Sequence, residues 1–250
     1  MSVTLPRPTR RMSAPPSGSD GSDGSREERK YPLPDARAAL LTAWLDARLP
    51  RDPQYPLGVI TSCYYDTAQL DAYQESVDGE FDKRKLRLRW YGNPVDPYAG
   101  VWIELKSRAG ARTQKLRARY PISGMANQLG LVLPDRPELA RWLRDMGEAA
   151  ASSIEPTVEP VAFIRYQRIR WQSPDGLLRA SLDTQVRAAS PRGASVWLPV
   201  PNGSVLELKT SGELPWRVAH LGKLGLRRSA HSKYALAIEL LYGRDRTYIR

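Results

Sequence analysis

The chain is short of the residues that build several common sites. It has one cysteine, Cys63, in 250 residues. No disulfide can form within it, and a cysteine-based zinc site has too few ligands. Its two histidines, His220 and His231, both fall near the C-terminal end. Histidine-dependent nucleophilic catalysis and histidine-rich metal sites are therefore poor expectations. No apolar run is long enough to span a bilayer. The opening MSVTLPRPTRRMSAPPSG has arginines but no apolar core of a secretory signal, so none is expected. No repeat of the solenoid type recurs. Acidic charge is also in short supply: 27 Asp+Glu stand against 38 Lys+Arg, a formal net charge of +11. Such an excess points to an anionic partner, whether nucleic acid, membrane surface or phosphates, without choosing among them.

Apolar material is ample, with 41% hydrophobic residues. Residues 1–25, rich in Pro, Ser, Gly and Asp, read as a disordered tail, and 26–250 as one folded domain. Residues 1–30 hold six basic and four acidic side chains, so +2 of the +11 lies there and +9 in the remainder. The spacing of Leu40, Leu41, Trp44, Leu45 and Leu49 predicts a helix over 34–49. Pro137 opens a second, with Leu139, Trp142, Leu143 and Met146 on one stripe. Residues 215–225 form a third candidate ending at glycine. Strands are predicted over 58–65, 84–91, 101–107, 113–121, 158–171, 177–186, 196–199, 204–210 and 233–242. Many strands with a few helices imply an antiparallel α+β domain.

Alternation along these strands separates charge from apolar bulk. In VWIELK, Val101, Ile103 and Leu105 oppose Trp102, Glu104 and Lys106. In KLRLRWY, Leu86, Leu88 and Trp90 oppose Lys85, Arg87, Arg89 and Tyr91; Lys115, Arg117 and Arg119 share another face. SVLELK and LLRASLDT repeat the pattern, with Glu207 and Lys209, and with Arg179, Ser181 and Asp183. Two architectures fit: a sheet with one solvated face, or a closed barrel with charge lining its lumen. Several like charges on one face repel. An anion held in a lumen would offset that repulsion, and interspersed carboxylates would suit a divalent cation carried with it. Arginine serves because its planar fork matches phosphate oxygens and stays charged.

Eight segments in order, ERKYPL (28–33), SCYYDT (62–67), RKLRLRWYG (84–92), VWIELK (101–106), IRYQR (164–168), RASLDT (179–184), VLELK (205–209) and HSKYALAIELL (231–241), resemble the VTC domain. That is the polyphosphate polymerase domain of the vacuolar transporter chaperone complex and its bacterial relatives, within the CYTH-like triphosphate tunnel metalloenzymes. The resemblance covers about residues 26 to 243. It implies an antiparallel β-barrel tunnel with helices packed outside. It implies catalytic and substrate-binding roles in the tunnel for Lys30, Arg87, Arg89, Lys106, Arg168 and Lys233, which would hold the triphosphate of ATP and the polyphosphate product. Tyr166 would assist in substrate binding, and Glu207 would bind a divalent metal, Mn2+ or Mg2+; Lys209 is added to the substrate-binding set by strand parity rather than by the resemblance. Glu28 and Asp183 take supporting places in the tunnel; Glu104 joins them by strand parity, and Arg117 and Arg119 are either phosphate contacts or outer-face residues. The implied reaction moves the γ-phosphoryl group of ATP onto a growing inorganic polyphosphate chain. The implied setting is cytoplasmic, peripheral at the inner face of a membrane with a separate membrane partner, and no nucleic acid partner is expected.

One departure bears on chemistry. CYTH triphosphatases carry Glu-x-Glu-x-Lys on the first strand, and here the stretch reads Arg26-Glu27-Glu28-Arg29-Lys30. Arginine in the first acidic place resembles the polymerase branch. The alternatives are a non-catalytic polyphosphate- or nucleotide-binding module and a triphosphate hydrolase of the CYTH type.

Overall fold

A computed structural model describes residues 27–80, 82–92, 101–109, 112–120, 129, 131–147, 158–192, 196–213, 218 and 220–243. The tail expected over 1–25 lies outside the described residues. In chain order the elements are β1 (Glu27–Pro32), α1 (Ala38–Asp46), β2 (Leu57–Asp66), α2 (Asp71–Val77), β3 (Asp82–Tyr91), β4 (Val101–Ala109) and β5 (Arg112–Tyr120). Then come α3 (Arg136–Asp145), β6 (Glu159–Gln172), β7 (Leu178–Ala189), β8 (Leu198–Pro199), β9 (Val205–Thr210) and α4 (Lys233–Tyr242). A single antiparallel sheet runs β1-β9-β7-β6-β2-β3-β4-β5, with β8 added to β7. The sheet curls. Lys106 of β4 and Glu28 of β1 stand near opposite ends of that order, yet their charged atoms approach to 4.0 Å. Among the described residues β1 and β5 share no ladder, so side chains rather than backbone bonds span the seam.

The alternation read from the sequence sets the two faces. On the outer face α1 packs Leu41 and Leu45 over Leu178, Leu182, Leu206 and Leu208. Also outside, α3 packs Leu139, Trp142 and Leu143 over Leu86, Leu88, Trp90 and Ile103. Each large apolar side chain so buried contributes roughly 1.5–3 kcal/mol. Local signals fix α3: Asp135 accepts from the Glu138 N–H as N-cap, and proline occupies the first turn.

The stretch 233–242, expected as a strand, is helix α4. Its apolar residues satisfy both periods, and short apolar runs do not distinguish strand from helix by pattern alone. Ser232 decides it as N-cap, its side chain accepting from the Ala235 N–H. Helix α4 fills one end of the concave face. Tyr234, Ala237 and Ile238 pack on Ile60, Tyr64, Ala162 and Tyr166. Tyr64 and Ile60 are the cross-strand neighbours of Arg87 and Tyr91, so this cluster shares the charged face. The rings of Tyr64 and Tyr234 stack at 4.9 Å. Helix α2, also absent from the sequence expectations, is held by Asp66, which accepts from the Ala72 and Tyr73 N–H groups and from the Tyr234 hydroxyl. Of the helix expected over 215–225, the described part is a 3-10 turn at Leu221–Leu224, and residues 215–217 and 219 lie outside the described residues.

Candidate functional site

The concave face encloses a cavity of about 1200 Å³. That exceeds the ~300–1,000 Å³ typical of a single small-ligand site. One wall comes from β3, β4 and β5. Cross-strand register sets Glu104 beside Arg87 on one side and Arg117 on the other. Glu104 is 2% exposed. Its Oε2 lies 2.7 Å from Arg87 Nε and 3.5 Å from Arg89 Nη1. Its Oε1 lies 3.1 Å from Arg117 Nε and 3.8 Å from Lys115 Nζ. Burial alone would raise this carboxyl; Arg89, Arg87, Lys115 and Arg117 outweigh it and hold Glu104 far below the usual carboxylate range. One fixed anion thus organises four cations. Arg87 also donates to the Tyr64 hydroxyl at 2.9 Å, and Arg117 to the Tyr91 hydroxyl at 3.0 Å.

The opposite wall comes from β6, β7, β9 and α4. Arg168 grips Asp183 through two bonds, Nε–Oδ1 at 2.5 Å and Nη2–Oδ2 at 2.7 Å. Lys233, the first residue of α4, reaches Asp183 Oδ2 at 2.6 Å and Glu207 Oε1 at 3.5 Å. Arg168 Nη2 lies 3.4 Å from Glu207 Oε2. Burial would raise the Glu207 carboxyl, but Lys233, Arg168, Lys30 and Lys209 hold it well below its ordinary value. The same carboxylates outweigh burial at Lys233 and raise its ammonium.

All nine residues given a catalytic, binding or metal role from the sequence line this one cavity: Lys30, Arg87, Arg89, Lys106, Tyr166, Arg168, Glu207, Lys209 and Lys233. Lys30 Nζ lies 3.3 Å from Glu28 and donates to the His231 carbonyl at 3.3 Å. Tyr166 stands under two cations, its ring centroid 5.0 Å from Lys233 Nζ and 5.4 Å from the Arg168 guanidinium carbon. Arg117 lines the cavity; Arg119 is exposed and does not. Sequence reasoning gave no site role to Lys85, Lys115, Arg170, Arg179, His231 or Ser232, which also line it. Parity with Arg87, Arg117 and Arg168 was the available signal for Lys85, Lys115 and Arg170. Lys85 donates to Ser232 Oγ at 3.3 Å; burial, with Lys30, Lys106 and Lys83 nearby, pushes its ammonium down to about 8. Burial with Lys233 and Lys30 pushes the His231 imidazole down to about 4, so it is neutral at pH 7.

Among the described residues no three His, Cys, Asp or Glu side chains gather as metal ligands. Glu207 nevertheless keeps donor capacity, because its contacts at 3.4 and 3.5 Å are longer than those that occupy Asp183. One carboxylate sharing a hard divalent cation with phosphate oxygens fits this donor set.

No curated protein sequence matches the chain. Among solved structures it is similar to a provisionally assigned adenylate cyclase from Bacillus halodurans, at 13% identity and TM-score 0.49, covering 87% of this chain and 99% of that one. A second provisionally assigned adenylate cyclase, from Vibrio parahaemolyticus, gives 14% identity and TM-score 0.45 over 84% of this chain and 96% of that one. The Mediator head module of Schizosaccharomyces pombe gives 10% and 0.42 over 80% and 92%. The VTC domain family matches residues 25–242. That match takes in the whole cation-lined cavity and the strands and helix that form it, and the chain belongs to the VTC domain family.

Proposed function

We propose that the protein is a polyphosphate polymerase, transferring the γ-phosphoryl group of ATP to the terminal phosphate of a growing inorganic polyphosphate chain. The observation that carries this is the facing of two cation walls, Arg87–Arg89–Lys106 and Arg168–Lys233, across one cavity. Phosphoryl transfer asks mainly for positioning and charge neutralisation. The arginine forks of Arg87, Arg89 and Arg168 suit pairs of phosphate oxygens, and Lys30, Lys106 and Lys233 act as point charges. Tyr166 and Lys209 support them from the same wall. The acceptor is a phosphate anion that attacks without losing a proton, so no general base is required, and a neutral His231 is no obstacle. A divalent cation held by Glu207, Mn2+ or Mg2+, would neutralise oxygens of the transferring group. In this reading the enzyme works on the cytoplasmic side, with a separate membrane protein to carry the product. No helix among the described residues is long and apolar enough to cross a membrane.

The test is direct. Purified protein with ATP, Mn2+ and a short polyphosphate primer should yield long polyphosphate and ADP. Orthophosphate as the sole phosphate product would point to a hydrolase. Tight polyphosphate binding without turnover would leave a binding module.

A further inference from the structure

The two ends of the cavity differ in chemistry. Along β3 the inward side chains run Lys83, Lys85, Arg87, Arg89 and then Tyr91. At the Lys85 end, Lys30 and Lys106 crowd in from β1 and β4. At the Tyr91 end the cross-strand neighbour is Ile60, and Tyr55, Leu57 and Trp171 line the cavity with it, together with Asp52, whose carboxylate accepts from the Tyr55 N–H. Leu57 is 52% exposed there, an apolar side chain left at a cavity rim.

Arg170 belongs to this second end. It lies two residues beyond Arg168 on β6, and Tyr91, Tyr166 and Asp183 are among its neighbours. It forms no ion pair among the described residues. Its Nη1 donates to the Tyr55 carbonyl at 3.2 Å, which tethers the guanidinium to the rim. Burial and the adjacent Arg168 hold it below its usual value. Arg170 is half-buried beside aromatic and apolar side chains, and with no carboxylate paired to it the face of its guanidinium is open to a ligand. It is well matched to an aromatic ring, on whose face arginine stacks.

We propose that the Tyr91 end binds the nucleoside of the donor, with its base on the open face of the Arg170 guanidinium beside the Tyr55–Leu57 rim, and that the phosphate chain lies toward the lysine end. This rests on the polymerase reading for the identity of the donor. It gives the cavity a direction: base, triphosphate, then acceptor chain.

The experiment compares ATP with inorganic tripolyphosphate, both with Mg2+, by calorimetric titration of the full chain. The wild type should prefer ATP. In Arg170→Met and Tyr55→Ala that preference should fall about tenfold, with tripolyphosphate affinity within about twofold of wild type, the size expected when one stacking contact is lost. Arg170→Lys keeps the charge and loses the plane, so it should lose the preference too. Equal losses for both ligands, no change for either, or full ATP affinity in Arg170→Lys would overturn the proposal. Melting temperatures measured alongside separate misfolding from lost contact, and Tyr55→Ala carries the test if Arg170→Met fails to fold. A wild type that prefers ATP but makes no polyphosphate would defeat the polymerase reading and leave the nucleoside end standing.

Discussion

Replacing Glu104 with glutamine removes one charge and almost no volume. In the wild type that charge faces Arg87, Arg89, Lys115 and Arg117. The variant leaves four cations on the two strands that flank β4, with no carboxylate between them. Breaking a buried ion pair from one side costs about 3–5 kcal/mol. The cations here are partly solvated, with side-chain exposures of 8% for Arg89, 18% for Arg117, 25% for Arg87 and 33% for Lys115. Screening therefore favours the lower figure, about 3 kcal/mol, or roughly 6–12 °C in melting temperature for a chain of this size. The loss should be conditional. A polyanion seated on the wall supplies the missing negative charge, so tripolyphosphate should raise the melting temperature of Glu104→Gln more than that of wild type. Added salt should narrow the gap. The sign with pH is fixed as well. Because the folded carboxyl titrates far below its unfolded value of about 4.3, the stabilisation is fully present well above that value and is lost progressively as pH falls from there through the folded value. Scanning fluorimetry with and without tripolyphosphate, from about pH 7 down to about pH 3, measures each part. A variant that melts within a degree of wild type, or gains no more from tripolyphosphate than wild type does, would refute Glu104 as the organising counterion.

Glu207→Gln should reduce polymer synthesis at least a hundredfold while tripolyphosphate still binds, measured by ADP release against titration; undiminished synthesis would remove Glu207 from the metal role. Arg87→Ala should weaken tripolyphosphate binding by one to two orders of magnitude, in line with loss of a bidentate charge-assisted contact of about 1.5–3 kcal/mol. A collapse of the fold with no selective binding loss would make that arginine structural. Lys85, pushed down to about 8, should take up a proton when a polyanion binds above that pH. Tripolyphosphate affinity should then fall between pH 7 and pH 9 in wild type and stay flatter in Lys85→Arg. Ser232→Ala should cost about 1 kcal/mol of stability through the lost cap on α4.

The strands and their faces were legible because alternation is a local property. Arg87, Arg89 and Glu104 could be assigned to one face from their own strands alone, while Arg117 stayed open between the lumen and the outer face. The pairing that makes Glu104 an organising anion was not legible, because it depends on the register of β3 and β5 against β4. Arg170 shares the parity of Arg168, yet its place at the aromatic end needs β2 and β3 beside β6. Helix α4 shows the reverse case. Its capping serine and closing glycine were present in the sequence, but the run between them also suits a strand, and only packing on Tyr64 and Tyr166 settles the choice.

Helix α4 follows every strand of the sheet in the chain, and its first residue completes the pairing of Asp183 and Glu207. During synthesis the cavity is therefore finished last. Until residues 233–242 have emerged, Tyr64, Ala162 and Tyr166 lack their cover, and Asp183 faces Arg168 alone. Long-range docking of this kind comes late in folding because loop closure must precede its reward. A nascent or prematurely terminated chain is then a sheet with its β3–β5 wall in place and its opposite wall short of Lys233, and the cavity is complete only when the last helix seats.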